Sequence, residues 1–396
     1  MSGPGMLFPK ERIRELDVLR GLAILAVILQ HALGVYIRKP DIQFADSVML
    51  GILFNFTKFA VPSFVFLTGT TLFYNHYDKL HYGQFIKKRA SEIILPYISW
   101  SVVYSIYYNG AALFHLAGLK QAARNIALGD AAYHLWYVVM IFQFYLLFPV
   151  LLGMFKQVHK RITTRLRFLS LLLSLACFYT LLMWLSSSWI PGHHPSFESG
   201  VLHKLLALRD RSFLFYFFYF ILGGIASVAM PAWRRFVARS LSINGMIFIT
   251  LFLWVGYELM KGASGGHVDL NYSTSLKPSM FFYTVSEILL LYGLSAAIVE
   301  NRLALLSLIE FVGKLSFGTY LAHPLVLTYV VRGLARLTTS DHYLWMSALA
   351  FIMCAAGSVG VAFLIGRIPL GALLIGPSGY KNLRDQRKTT VNASVR

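Results

Sequence analysis

Charge is scarce in this sequence, and acidic charge most of all. Of 396 residues only 13% are Asp, Glu, Lys or Arg, and 17 acidic residues face 36 basic ones. A soluble domain of this length carries about a quarter charged residues, so an ordinary water-soluble fold is excluded. Cysteine is nearly missing: Cys177 and Cys354 are the only two, and both fall inside apolar runs, which leaves a disulfide framework or a thiolate metal site without support. Also missing are an HExxH pair, a CxxC pair and a P-loop, so metal and nucleoside-triphosphate chemistry have no footing. GASGG at residues 262–266 matches the G-x-S-x-G pattern, but it falls in a short connection where a strand-to-helix elbow is not expected, and a flexible loop accounts for it.

Apolar sequence is abundant, at 57% hydrophobic residues. It is grouped in windows of about 20 residues bounded by charges, the length that crosses a bilayer as helix. Ten spans are expected, at Val18–Ile37, Val48–Phe73, Ile93–Leu113, Leu135–Phe155, Phe168–Ile190, Phe213–Met230, Ile243–Met260, Met280–Val299, Leu315–Val331 and Leu344–Ile365. The polar gap around Gly110 and the GALLIG stretch near the end are places for re-entrant pieces. The fold class is therefore all-α, a polytopic transmembrane helix bundle. Residues 1–375 form one membrane domain, and residues 376–396 a flexible basic tail. The N-terminus has basic residues before its first apolar run but no small-residue cleavage site after it, as in an uncleaved span.

The net charge of +19 would suggest nucleic acid in a soluble chain. Here Lys and Arg sit between the apolar runs and are divided roughly two to one between alternate sets of connections, the asymmetry of positive-inside topology. Both termini are then expected in the cytoplasm, with anionic membrane lipids as partners and no nucleic acid.

Within the first span, DVLRGLAILAVILQHALGV places Arg20 and His31 eleven residues apart. At 100° per residue they project within about 20° of each other, about 16 Å apart along the axis, with Asp17 on the same side. Ionisable groups on one stripe of an apolar helix face a protein-lined or watery cavity and mark a functional site. The plainer account is snorkelling for Arg20 and an interhelical hydrogen bond for His31.

Four more stretches stand out. Lys58 precedes FAVPSFVFLTGT, where Pro62, Thr68 and Gly69 can break the helix; it needs a counter-charge, and Asp46 and Glu287 are the candidates for a buried structural pair. His134 and Trp136, in YHLWYV, sit at an interface, where Trp136 is either an aromatic-belt residue or a platform for a sugar ring. His323 precedes Pro324, which frees a carbonyl one turn earlier and makes either a packed kink or a site wall. Lys87, Lys88 and Arg89 lie just before the third span, where they serve topology or bind a phosphorylated anion.

In order along the chain, LDVLRGLAILAVILQH, FAVPSFVFLTGT, the Phe-basic-basic stretch leading to LPY at residues 85–97, HLWYV and GKLSFGTYLAHP resemble the acyltransferase 3 family of integral membrane acyltransferases, which modify cell-surface carbohydrates. The resemblance covers nearly the whole chain. It implies a plasma-membrane enzyme that moves an acyl group, commonly acetyl, from cytosolic acyl-coenzyme A to a sugar hydroxyl at the outer face. His31 would be the general base, Arg20 would bind the donor or stabilise developing charge, and Lys88 and Arg89 would hold the coenzyme's phosphates. Where the family often has a second arginine, three residues after the position of Arg89, this chain has Glu92. Either Lys87 and Lys88 supply that charge or the donor binds differently. No additional extracytoplasmic domain is expected, so acceptor handling falls to the spans and outer loops. The rival class is a transporter or exporter of a lipid-linked glycan or small molecule, since buried charges and broken helices also suit transport.

Overall fold

The computed structural model describes residues 12–193, 206–264, 267–337 and 342–376. The basic tail from residue 377 onward, and Gly265 and Gly266 of the GASGG stretch, lie outside them. Helix dominates; among the described residues the only strand pairing is a two-residue hairpin, Ala263–Ser264 against His267–Val268.

Each expected span coincides with a helix. In chain order the helices of eight or more residues are α1 (Arg14–Tyr36), α2 (Phe44–Phe56), α3 (Ala60–His76), α4 (Tyr82–Arg89), α5 (Leu95–Asn109), α6 (Leu116–Leu128), α7 (Trp136–Arg161) and α8 (Arg165–Trp184). Then follow α9 (Phe217–Val228), α10 (Met230–Lys261), α11 (Pro278–Glu300), α12 (Leu306–Leu337) and α13 (Tyr343–Ile365). Seven stretches are long and apolar enough to cross a membrane by length and composition, with α2 and α3 counted together as Phe44–His76. The other three expected spans fall on α5, of 15 residues; on α9, of 12; and on α12, which is 32 residues long and carries Glu310, Lys314, Arg332 and Arg336.

The second expected span is interrupted, but not where its sequence suggested. The break falls at Thr57–Phe59, with Lys58 in it, and α3 then runs unbroken through Pro62, Thr68 and Gly69. Pro62 lies in the first turn of α3, where a missing N–H removes no intrahelical bond. The Thr68 hydroxyl donates to the Phe64 carbonyl of its own helix. The gap around Gly110 becomes a 3-10 turn leading into α6, and the GALLIG stretch a single turn whose Leu374 carbonyl accepts from the Trp100 indole of α5.

α1 lies inside the bundle, packed on α3, α11, α12 and α13. Its crossing with α12 needs two glycines. A Cβ on Gly313 would sit 2.2 Å from the Asp17 carbonyl oxygen, and one on Gly21 2.4 Å from that of Ile309. The two backbones therefore touch beside Arg20 and Lys314. Around this crossing Arg14 pairs with Glu310 at 2.8 Å, and buried Glu15 pairs with Arg234 of α10 at 2.6 Å and accepts from Tyr292 of α11 at 3.0 Å. The end of α1 that carries Arg20 is thus pinned to three helices.

Candidate active site

α1 runs past two separate cavities and contributes a charged or ionisable side chain to each. The first, about 450 Å³, is lined by Arg12, Asp17 and Arg20, by Thr68 of α3, by Arg89 and Glu92, by Tyr137 and Tyr145 of α7, and by Lys314 and Tyr320 of α12. The second, about 490 Å³, is lined by Gln30, His31, Gly34 and Arg38, by Phe54 and Lys58 at the α2–α3 break, and by Tyr133, Trp136 and Tyr216. The shared stripe read from the spacing of Arg20 and His31 is realised as two cavities on one rod. The sequence positions that adjoin on α7, Trp136 and Tyr137, line different cavities. Between the cavities the Tyr137 ring packs 6.1 Å from Phe64 and 5.8 Å from Tyr320.

In the first cavity Asp17 Oδ1 accepts from Arg20 at 2.9 Å and its Oδ2 pairs with Arg12 at 2.6 Å, so one carboxylate fixes two guanidinium groups. Arg89 pairs with Glu92 at 2.9 Å, across the π-helical turn Ala90–Ile94 that turns both toward the cavity. Glu92 therefore adds a carboxylate to the wall where another arginine was looked for. Lys88 does not line this cavity; its side chain is 68% exposed and reaches Glu92 only at 3.9 Å, whereas Arg89 is 19% exposed and lies over the Phe85 and Tyr145 rings. Lys314 and Arg12 went unnoticed in the sequence because both read as flanking charges. Lys314 makes no ion pair among the described residues. The cavity is cationic overall and suited to an anion with several phosphates.

At the second cavity three histidines meet that the sequence offered only as separate candidates. The His31 ring stacks on His323 at 5.2 Å, His323 meets His134 edge-on at 5.1 Å, and Tyr133 lies 4.7 Å from His31. They come from α1, from α12 and from the turn before α7. Pro324 has no N–H to give to the Tyr320 carbonyl, and His323 Nδ1 takes that place at 2.6 Å. A carbonyl only accepts, so Nδ1 carries the proton and Nε2 is left as a lone pair, buried with no hydrogen-bond partner among the described residues. The Tyr320 hydroxyl in turn donates to the His134 carbonyl. Among the described residues neither ring nitrogen of His134 finds a hydrogen bond of ordinary geometry, although the ring approaches the Leu321 backbone. No group of three His, Cys, Asp or Glu among the described residues has the geometry to hold a metal ion.

Lys58 lines the same cavity, its ammonium 4.7 Å from the centre of the Phe54 ring, and pairs with neither expected carboxylate. Asp46 instead accepts from the backbone N–H of Tyr343 at 2.8 Å, at the start of α13, and Glu287 is buried beside Tyr283 of α11. Trp136 lines the cavity 6.1 Å from the Tyr216 ring. Arg38, seven residues after His31 and so back on nearly the same face, was legible from that spacing but read as the end of the span.

No solved structure gives a significant match to this chain. Among curated proteins, a probable poly-beta-1,6-N-acetyl-D-glucosamine export protein of Staphylococcus aureus strain MRSA252 is 24% identical over 374 residues, covering 93% of this chain and 97% of that protein. A protein of the same description from Staphylococcus epidermidis is 24% identical over 390 residues, covering 97% of this chain and all of its own. The model of the acyltransferase domain family known as acyltransferase 3 matches residues 13–367, a range that takes in Arg20, the whole lining of the His31 cavity and the histidine cluster, and the chain is a membrane-embedded member of that family.

Proposed function

We propose that this protein transfers an acyl group, acetyl in our reading, from cytosolic acyl-coenzyme A to a hydroxyl of a surface or exported polysaccharide at the plasma membrane. The observation that carries the reading is that α1 puts Arg20 in a cationic cavity and His31 in a separate, aromatic-rich one. The loop-charge asymmetry supports a topology with both termini and the Arg20 cavity on the cytoplasmic side. The donor's phosphates would then meet Arg20, Arg89, Arg12 and Lys314, and its pantetheine arm would thread past Tyr137 and Phe64 toward His31.

His31 acts as the general base. It takes the proton of the acceptor hydroxyl as the oxygen attacks the thioester carbonyl, and returns it to the thiolate expelled when the carbon–sulfur bond breaks. An imidazole serves both steps because its free nitrogen accepts the proton and, once protonated, donates it. Arg20 is about 16 Å from His31 along the helix, a separation that favours donor binding over stabilising charge at the reacting carbonyl. The curated relatives' description, which names a poly-N-acetylglucosamine, supports a polysaccharide acceptor.

Purified protein in liposomes, given radiolabelled acetyl-coenzyme A and a hydroxylated glycan, is expected to form an alkali-labile ester, and His31→Ala to abolish it while expression stays intact. The relatives' names, as export proteins, favour a second reading, in which the chain moves a glycan without chemistry. Glycan uptake into the liposomes with no ester formed would select that reading.

A further inference from the structure

Several cations elsewhere in this protein are matched by carboxylates, although among the described residues Lys314 of the first cavity is not. Asp17 holds Arg12 and Arg20, Glu92 holds Arg89, Glu15 holds Arg234, Asp130 holds Arg211, and Glu258 holds Lys277. The cavity at His31 departs from this pattern. Among the described residues its wall contains Lys58 and Arg38 and no Asp or Glu. Lys58 makes no ion pair among the described residues and rests against the Phe54 ring. Arg38 gives Nη1 to the Gly34 carbonyl at 2.5 Å and makes no ion pair among the described residues. Two cations facing one cavity repel each other, and holding them inside a membrane protein without a counter-charge is unfavourable, a penalty relieved when an anion enters. Trp136 and Tyr216, with rings 6.1 Å apart, supply the apolar and aromatic wall that a sugar ring covers.

We propose that the acceptor bound in this cavity is an acidic glycan, whose carboxylate or phosphate ester is held by Lys58 and Arg38 while its reacting hydroxyl lies at His31. This rests on the acyl-transfer reading and narrows its substrate from polysaccharides in general to those with an anionic substituent near the modified sugar. The same cations would serve specificity: a neutral sugar leaves them uncompensated, so discrimination arises from a penalty on the neutral ligand as well as from attraction to the acidic one.

The test is a binding measurement on the full chain in phosphatidylcholine nanodiscs without any acyl donor. The probes are a neutral N-acetylglucosamine tetrasaccharide and its singly phosphorylated and uronate-containing counterparts, titrated by tryptophan fluorescence. At least one acidic probe is expected to bind at least fivefold more tightly than the neutral one. Lys58→Met is expected to bring the ratio below twofold, while Lys58→Arg preserves it. A ratio under fivefold in the unmodified protein, which needs no variant to fold, overturns the proposal, as does a preference that survives Lys58→Met. Repeating the titration in discs containing phosphatidylglycerol separates the two sources of anionic oxygen. A retained preference assigns the site to the glycan, and its disappearance assigns the site to a lipid headgroup and overturns the proposal. Because no donor is present, failure of ester formation leaves this result standing, and a negative result here leaves acyl transfer to a neutral sugar intact.

Discussion

The imidazole of His31 stacks on that of His323, with ring centres 5.2 Å apart and planes inclined by 26°. His323 is itself oriented by the backbone, its Nδ1 taking the Tyr320 carbonyl that Pro324 leaves unbonded. One histidine thus faces the cavity while the other, buried behind it, fixes where its ring lies.

Substitutions at these two positions are expected to separate. Removing the base by His31→Gln should lower kcat by about 100-fold or more, the range ascribed to a positioned general base. His323→Gln touches no reacting atom and should cost about tenfold, with the KM for acyl-coenzyme A unchanged. Steady-state ester formation in liposomes, with protein folding followed by thermal unfolding, checks both. Equal losses at the two positions would make His323 a proton carrier rather than a positioning residue.

The Arg20 cavity should control donor affinity alone. A charge-assisted hydrogen bond is worth about 1.5–3 kcal/mol, so Arg20→Ala should raise the KM for acyl-coenzyme A by about 10- to 100-fold. The KM for the acceptor should stay within twofold. Asp17→Asn should produce a smaller shift in the same direction, since it loosens Arg20 without removing the charge. Initial-rate measurements with each substrate varied in turn decide this.

Much of this arrangement was legible in the chain, and what was not has identifiable causes. The helices followed from apolar windows, and Arg20 and His31 from helical periodicity, because both depend on short-range spacing. The convergence of His31, His134 and His323 did not follow, since it is set by the α1–α12 crossing and by a proline-freed carbonyl, neither visible as a local pattern. Lys58 was misread for a related reason. A lone lysine in an apolar run invites a carboxylate partner, but which carboxylates are already bonded, as Asp46 is to the start of α13, is a tertiary fact. Lys314 and Arg38 were hidden because a charge near a span end looks the same whether it meets headgroups or turns inward.

Glu92 gives a distinguishing case in the donor cavity. It pairs with Arg89 at 2.9 Å and brings negative charge to a wall that is otherwise mainly basic. Glu92→Gln keeps the shape and removes the charge, so coenzyme A should bind about three- to tenfold more tightly, with a steeper dependence on salt. Lys314→Met should weaken binding by a similar factor. Calorimetric titration of coenzyme A checks both. Weaker binding in Glu92→Gln would mean instead that the carboxylate is needed to aim Arg89.

The close crossing of α1 and α12 should be intolerant of volume. At Gly313 an added Cβ would lie 2.2 Å from the Asp17 carbonyl oxygen, a backbone atom that cannot move without displacing α1. Gly313→Ala is expected to cost about 1–3 kcal/mol and to lower the unfolding temperature. Because Asp17 and Arg20 move with α1, donor affinity should fall too. Gly245→Ala, where nothing lies within 4 Å of the added carbon, is the control; it should leave donor affinity unchanged and should not lower the unfolding temperature.

At the other end of α1, Asp41 ties the connection between α1 and α2 to α13. The Tyr343 hydroxyl donates to its carboxylate at 2.5 Å, and this hydrogen bond holds the Asp41 carboxyl below the usual carboxylate range. A carboxyl whose value is lowered by folding stabilises the folded state above its unfolded value of about 4, and loses that contribution as the pH falls through the lowered, folded value. Tyr343→Phe removes the donor. Its unfolding temperature is therefore expected to lie below that of the unmodified protein at pH 7, and the gap should narrow steadily between pH 5 and pH 3. Thermal unfolding in nanodiscs across that range measures it, and a gap independent of pH would assign the effect to Tyr343 packing, which includes the Tyr36 ring 5.9 Å away, rather than to the Asp41 carboxylate.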